Sequence, residues 1–194
     1  MPEGEIVERL PLFPLSTPAL PGGRVALRLF EPRYLDMVSE CLRHDRGFGI
    51  CLIRRGGEAG EPALPYGTGT EMRIVGWDRQ ADGLLAITAE GQRKIRVHDL
   101  AVEANQLVVA RVERLPLEPS EPVPERCAML VEVLARILRR LEGVIDYEQP
   151  QWNDAAWVGG RLTELLPLND RVRQYLVELD NPTARLDELR QALK

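Results

Sequence analysis

The chain has 194 residues, with 25 Lys+Arg against 30 Asp+Glu, a formal net charge of −5 and 44% hydrophobic residues. That length and apolar content suffice for one or two domains with a packed core, and they exclude a disordered or low-complexity chain. The acidic balance argues against a general nucleic-acid binder. Two of the cations are lysines, Lys94 and Lys194, and with two His, three Cys and three Ser the chain holds little catalytic material. Cys41, Cys51 and Cys127 cannot all pair with one another and form no C-x-x-C pair, which points to reduced thiols in a cytoplasmic protein. The first residues are acidic and lack an apolar segment, so no secretory signal is read there. No stretch approaches the roughly 18 apolar residues of a membrane helix, and no membrane partner is expected.

In chain order, Leu10–Leu15 is extended but carries prolines, which suits an edge strand and hints at a protected edge. Arg24–Phe30 reads as a strand. Glu31-Pro32 opens a helix, with proline at a first-turn position where its missing N–H costs little. Tyr34, Leu35, Val38, Cys41 and Leu42 form its apolar stripe, and Asp45-Arg46-Gly47 ends it. Phe48–Ile53 is a nearly continuous apolar run, as in a strand buried on both faces. Gly56-Gly57 to Gly60, running on through Pro62 and Pro65, reads as a flexible loop and a candidate lip for a peptide groove. Thr70–Val75 alternates, with Met72 and Ile74 on one side. Asp82-Gly83 signals a tight turn before Leu84–Thr88, Glu90-Gly91 a turn or bulge, and Lys94–His98 and Gln106–Val112 two more strands. Six or seven short strands suggest a closed or nearly closed antiparallel β-domain.

Pro116–Pro124 contains four prolines and marks a linker, placing domains at 1–118 and 119–194 with net charges of −2 and −3. After it the period becomes helical. Leu130, Leu134, Ile137, Leu138 and Leu141 stripe a helix of about 125–142. Asn153 can cap a second helix with Val158, Leu162, Leu165 and Leu166, stopped by Pro167 and weakened by Gly159-Gly160. Asn169 can cap a third, with Val172, Tyr175, Leu176 and Leu179 as its face. Asn181-Pro182 opens a fourth with Leu186, Leu189 and Leu193. The fold class is therefore α+β: an antiparallel β-barrel-like domain with one inserted helix, then a C-terminal helical bundle.

Pro11-Leu-Phe-Pro-Leu15, followed by Pro21-Gly-Gly-Arg-Val-Ala-Leu-Arg-Leu-Phe-Glu-Pro-Arg-Tyr34, resembles the opening of the Lon protease N-terminal domain. Phe48-Gly49-Ile50, Gly69-Thr70 and the Asp82-Gly83 to Gly91 hairpins fit the same family. Leu165–Leu168 and Leu186–Leu189 resemble its end, so the likeness covers nearly the whole chain. It implies a twisted β-domain with an inserted helix and a helical bundle behind it, and a role in recognising protein substrates or partners. The family's ATPase and Ser–Lys peptidase are not expected here. The sequence holds no G-x-x-x-x-G-K-[ST], and Ser16, Ser39 and Ser120 lie far from Lys94 and Lys194.

Other constellations have plain structural readings. Phe30–Tyr34 is a candidate binding epitope, and the favoured reading is architectural: Glu31 and Pro32 set a helix start, Phe30 and Tyr34 anchor it to the sheet, and Arg33 pairs with a carboxylate or backbone carbonyls. Cys41 and His44 lie three apart on a helix, and Cys51 or Cys127 could add ligands, but the set lacks metal-site spacing. Cys41 with His98, or Cys51 with His44, is a conceivable nucleophile pair without a supporting motif. Glu3, Glu5, Glu8 and Asp187-Glu188 read as solvated charges. Arg54-Arg55 and Arg93-Lys94-x-Arg96 are basic, yet Glu58, Glu61 and Glu90 sit nearby and stacking aromatics are few. Arg139-Arg140 reads as a solvated helix face.

No catalytic, metal or cofactor residues are assigned, no cofactor is expected, and no peptide-contact residues follow from the sequence. The expected function is non-catalytic recognition of exposed apolar or unfolded protein segments, in a groove between the two halves or along a sheet edge. A separate protease or ATPase is a conceivable partner. A small Cys/His hydrolase and an RNA-binding small barrel are the alternatives.

Overall fold

A computed structural model describes residues 4–193. The described residues form two compact units that divide between Pro116 and Leu117. Glu3 and Lys194 lie outside the described residues.

The first unit contains β1 (Glu5–Leu15), β2 (Arg24–Leu29), α1 (Pro32–His44), β3 (Phe48–Arg55), β4 (Leu64–Arg79), β5 (Leu85–Val102) and β6 (Val108–Arg114). The sheet runs β2-β5-β4-β3-β1-β6, and β6 also pairs with β5. Five strands thus close a ring of pairings, and β2 hangs from β5 outside it. Closure depends on the length of β5. Its first half pairs with β2 and β4, and Ile95–Val102 pairs with β6.

Not every pair is antiparallel, contrary to expectation. Leu12–Leu15 of β1 runs parallel to Gly49–Leu52 of β3. A parallel pair needs a crossover connection, and the stretch holding β2 and α1 supplies it. Nor is β1 an edge strand, because it lies between β3 and β6. Its prolines are tolerated because it changes partners: Glu5–Pro11 pairs with β6 and Leu12–Leu15 with β3. Glu90-Gly91 lies within the continuous strand β5 and makes no turn. The register shifts there, with Met72 opposite Gly91 and Glu71 opposite Arg93, leaving Gln92 bulged. Gly91 exchanges backbone hydrogen bonds with Gly22 and Gly23, and a Cβ on it would strike the Leu20 carbonyl. Pro65 belongs to β4, so the loop after β3 ends at Ala63.

Phe48–Leu52 is buried throughout because β3 has apolar neighbours on both faces. Phe48 and Ile50 join Phe13, Leu27, Leu29, Met37, Met72 and Ile87 in one cluster. Cys51 joins Leu10, Leu12, Ile95 and Val112 in another. Helix α1 packs into the first through Tyr34, Met37, Val38 and Cys41, together with Arg33. Its stripe is turned from the expected one: Leu35 and Leu42 are exposed and Met37 is inside. Positions 34, 37, 38 and 41 repeat at the three-and-four spacing of a helix face, whereas 35 and 42 sit about 100° further round. Asp45, in the left-handed region at φ 49°, ends the helix.

The second unit starts with a 3-10 turn, Glu125–Cys127, leading into α2 (Ala128–Arg140), then α3 (Ala155–Leu165), α4 (Asp170–Glu178) and α5 (Pro182–Ala192). Asn169 and Asn181 cap α4 and α5, accepting from Val172 N (3.0 Å) and Ala184 N (2.8 Å). The cap of α3 is Asp154, not Asn153; it accepts from Trp157 N at 2.7 Å. Gly159-Gly160 does not break α3. A Cβ at Gly159 would lie 3.3 Å from Arg185 Cδ, so glycine there lets α5 pack close. On α4, Gln174, Leu176 and Val177 are buried while Tyr175 is exposed, and Leu193 beyond α5 is exposed too.

Arg185 organises this unit. Its buried guanidinium donates to the Glu118 carboxylate (2.7 Å), to the Leu176 carbonyl (2.8 Å) and to the Leu179 carbonyl. Among the described residues no helix is long and apolar enough to cross a membrane.

Candidate functional site

In Phe30–Tyr34, four of the five residues are architectural. Tyr34 stacks on Phe13 with ring centroids 3.9 Å apart. Buried Arg33 pairs with Glu31 (2.8 Å) and donates to the Gln106 carbonyl (3.0 Å), so it uses both expected partner types. Phe30 is the exception. It is 61% exposed and does not anchor the helix.

Phe30 follows directly on β2, the terminal strand of the sheet, which among the described residues pairs with β5 alone. Along β2, Val25, Leu27 and Leu29 pack toward the core, while Arg24 and Arg28 are held by Glu90 (3.0 Å) and by Asp82. Leu27 stands opposite Ile87, and Ile87 opposite Trp77. This cross-strand row begins buried and ends on Trp77, which is 67% exposed. Val75, bulged between Ile74 and Gly76, is exposed as well. An open strand edge and large exposed apolar side chains thus occur on the same three-stranded part of the sheet.

The catalytic candidates come apart. All three cysteines are buried and unpaired. Burial pushes the Cys41 thiol up to about 11 and the Cys51 thiol to about 12. Burial also raises Cys127, helped by the charge of Asp187, 3.7 Å from its sulfur. A thiol held protonated at neutral pH is a poor nucleophile and metal ligand. Cys41 donates to the Gly47 carbonyl (3.5 Å), and His98 bonds Glu113 (3.2 Å). Ser16 bonds Glu58, and Ser120 bonds Asp154. Among the described residues no three His, Cys, Asp or Glu side chains group as for a metal. The basic run at 93–96 is not a surface patch. Lys94 is only 2% exposed, and Arg96 pairs with Glu113 at 3.1 Å.

The helical unit holds a feature that periodicity did not reveal, a pocket of about 410 Å³ at the C-terminal end of α2. Ala135, Leu138 and Arg139 of α2 form one wall. The segment after the helix supplies Ile145, Tyr147, Pro150 and Trp152, with Glu142 and Asp146. That segment folds back because Val144 and Ile145 N–H bond the Leu141 carbonyl, and Gly143, at φ 79°, donates to Asp146 Oδ1 (3.2 Å). Its far end is tied by Val123 N to the Asn153 carbonyl and Ala155 N to the Glu121 carbonyl. Tyr147 and Trp152 stand edge-on to Trp157, at 5.4 and 5.5 Å. Arg161, ion-paired to Glu164 at 2.8 Å, lies 5.7 Å from the Trp157 ring and 5.9 Å from Tyr147. The legible signal was Tyr147 and Trp152 standing in an acidic, proline-bearing stretch.

The described residues thus combine a terminal strand beside exposed Phe30 and Trp77, a separate pocket in the helical unit and thiols held protonated by burial. The chain belongs to the substrate-binding domain family of ATP-dependent protease La (LON), whose family model matches residues 9–194. The crystal structure of a Lon N-terminal domain protein from Xanthomonas campestris is 38% identical, with a TM-score of 0.76 over 94% of this chain and 97% of that one. The N-terminal domain of a Mycobacterium avium complex Lon protease shares the fold, with a TM-score of 0.62 at 19% identity over 94% of this chain and 96% of that one. Protein cereblon of Danio rerio is 28% identical over 113 residues, 57% of this chain. A LON peptidase N-terminal domain and RING finger protein of Schizosaccharomyces pombe is 25% identical over 91% of this chain. The matched regions span 26% and 43% of these two longer relatives.

Proposed function

We propose that this chain is a non-catalytic polypeptide-recognition module that takes exposed apolar segments of unfolded protein in extended form along β2. The observation that carries the reading is the unpaired outer side of β2 beside exposed Phe30, on the sheet that also exposes Trp77. An extended segment adds main-chain hydrogen bonds to such an edge, and alternate side chains find apolar contact. Membership of a substrate-binding family supports it. Buried, unpaired thiols fit a reducing, cytoplasmic setting. A bound substrate would pass to a separate protease or ATPase.

The test is calorimetric titration of the whole chain with a reduced, carboxymethylated unfolded protein and with the same protein folded. Saturable binding of the unfolded form alone is expected, with Phe30→Ala weakening it about tenfold. A peptide N-methylated at alternate amides should bind poorly. Absence of binding to any unfolded ligand ends the proposal.

A further inference from the structure

We infer that β2 takes antiparallel segments whose apolar residues fall at every second position, held by the outward N–H and C=O groups of Ala26 and Arg28. The pattern deepens the polypeptide-recognition reading and rests on it for the ligand. Backbone bonding alternates along an antiparallel pair, so every second residue turns its N–H and C=O away from the partner. The Gly91 N–H donates to the Gly23 carbonyl at 2.8 Å, and the register runs without a shift from Arg24 opposite Glu90 to Leu29 opposite Leu85. Val25, Leu27 and Leu29 therefore bond β5, and Ala26 and Arg28 turn their main-chain groups to the outer side. The far side of β5 agrees. The Gln80 N–H donates to the Leu84 carbonyl at 2.8 Å, which makes Asp78–Ala86 and Gly76–Thr88 bonded pairs and leaves Ile87 for Leu27. Ala26 and Arg28 make no other main-chain bond among the described residues.

Side chains set the pattern of the occupant. Val25, Leu27 and Leu29 face the core cluster, and a residue opposite any of them adds to that apolar face. The other face of β2 carries Arg24, Ala26 and Arg28. Ala26 is exposed there, and the two arginines pair with Glu90 and Asp82, so that face is polar. The antiparallel direction is the more stable per residue. In it, the residues bonded to Ala26 and Arg28 stand on the polar face, and the residues between them stand on the apolar one. A segment with strict alternation satisfies both faces. One with an unbroken apolar run, or with apolar residues at helical spacing, puts some of them into water beside the arginines. The substrate class is thus the amphipathic strand of an unfolded protein.

The test is calorimetric titration of the whole chain with two capped peptides of one composition, leucines alternating with serines and arginines in the first and set at helical spacing in the second. The alternating peptide should bind about tenfold more tightly, through the pairs opposite Val25, Leu27 and Leu29. N-methylation of its serine and arginine amides should abolish binding, because those N–H groups meet the Ala26 and Arg28 carbonyls. N-methylation of its leucine amides should leave the affinity within about threefold. Ala26→Pro removes one outward N–H and no bond to β5, so it should weaken binding about fivefold in a chain that still melts cooperatively. Equal affinity of the two peptides, indifference to which amides are methylated, or loss on methylating the leucines instead overturns the inference. If Phe30→Ala still weakens binding of the unfolded protein in that case, the polypeptide-recognition reading stands; absence of binding to any unfolded ligand ends both.

Discussion

Arg185→Met tests whether a buried guanidinium holds the helical unit together. The substitution keeps most of the side-chain volume but removes the donors to Glu118, to Leu176 and to Leu179. Glu118 is left as a nearly buried carboxylate without its arginine. Breaking a buried pair from one side costs about 3–5 kcal/mol. The carbonyls of Leu176 and Leu179, at the end of α4, lose their donors as well, each worth about 1 kcal/mol. At roughly 0.05–0.15 kcal/mol per residue, a unit the size of residues 117–194 has about 4–12 kcal/mol in all. With about 4 °C or more per kcal/mol at this size, the helical melting transition should fall by at least about 12 °C. Thermal unfolding followed by circular dichroism at 222 nm measures it. Adding Glu118→Leu should recover part of the loss, because a nearly buried carboxylate that has lost Arg185 goes while the Leu176 and Leu179 carbonyls still lack the Arg185 donors. A shift below about 4 °C for the single variant would refute the assignment.

The contact between Arg126 and Asp187 (2.8 Å) holds the Asp187 carboxyl below its ordinary value, chiefly by the hydrogen bond. A depressed folded-state value contributes stability above the unfolded value, near 3.8, and that contribution disappears as pH falls through the lower folded value. Wild type should therefore melt above Asp187→Asn at pH 6 and converge with it near pH 2; a gap that persists in acid contradicts this. Because burial raises all three thiols, native protein should resist iodoacetamide at pH 7.5, and mass spectrometry should find three additions only after denaturation. Rapid native labelling of one cysteine would revive a thiol nucleophile.

Short-range features were legible. The Asp82-Gly83 turn, the Pro32 helix start and the caps at Asn169 and Asn181 depend on the residue itself and its next three or four neighbours, so the string of residues contains the cause. The continuous apolar run of β3 was legible because burial on both faces erases alternation. Misread features shared one property. Leu35 and Leu42 belong to the stripe in sequence yet lie outside, because a stripe shows an apolar arc without its centre, and the packing partners of α1 decide where the centre lies. Lys94 belongs to a basic run in sequence, and its 2% exposure in the sheet is not announced by any local pattern. Phe30–Tyr34 is legible as a segment of note, but the sequence favours Phe30 as a helix anchor, and only the fold leaves it 61% exposed.

The sequence by itself therefore determined the division into a β half and an α half, most element positions, the poverty in catalytic groups and the family likeness. The likeness rests on motifs such as Pro21–Tyr34, and the rest on periodicity, capping and composition, which act over a few residues. Tertiary structure alone decided that β1 pairs in parallel with β3 and antiparallel with β6, that β2 lies at the end of the sheet, and that residues between Ala135 and Trp152 line a pocket. The pairings of β1 with β3 and with β6 depend on segments meeting from far apart in the chain. A strand's alternation states which face is apolar and leaves open which neighbour covers it.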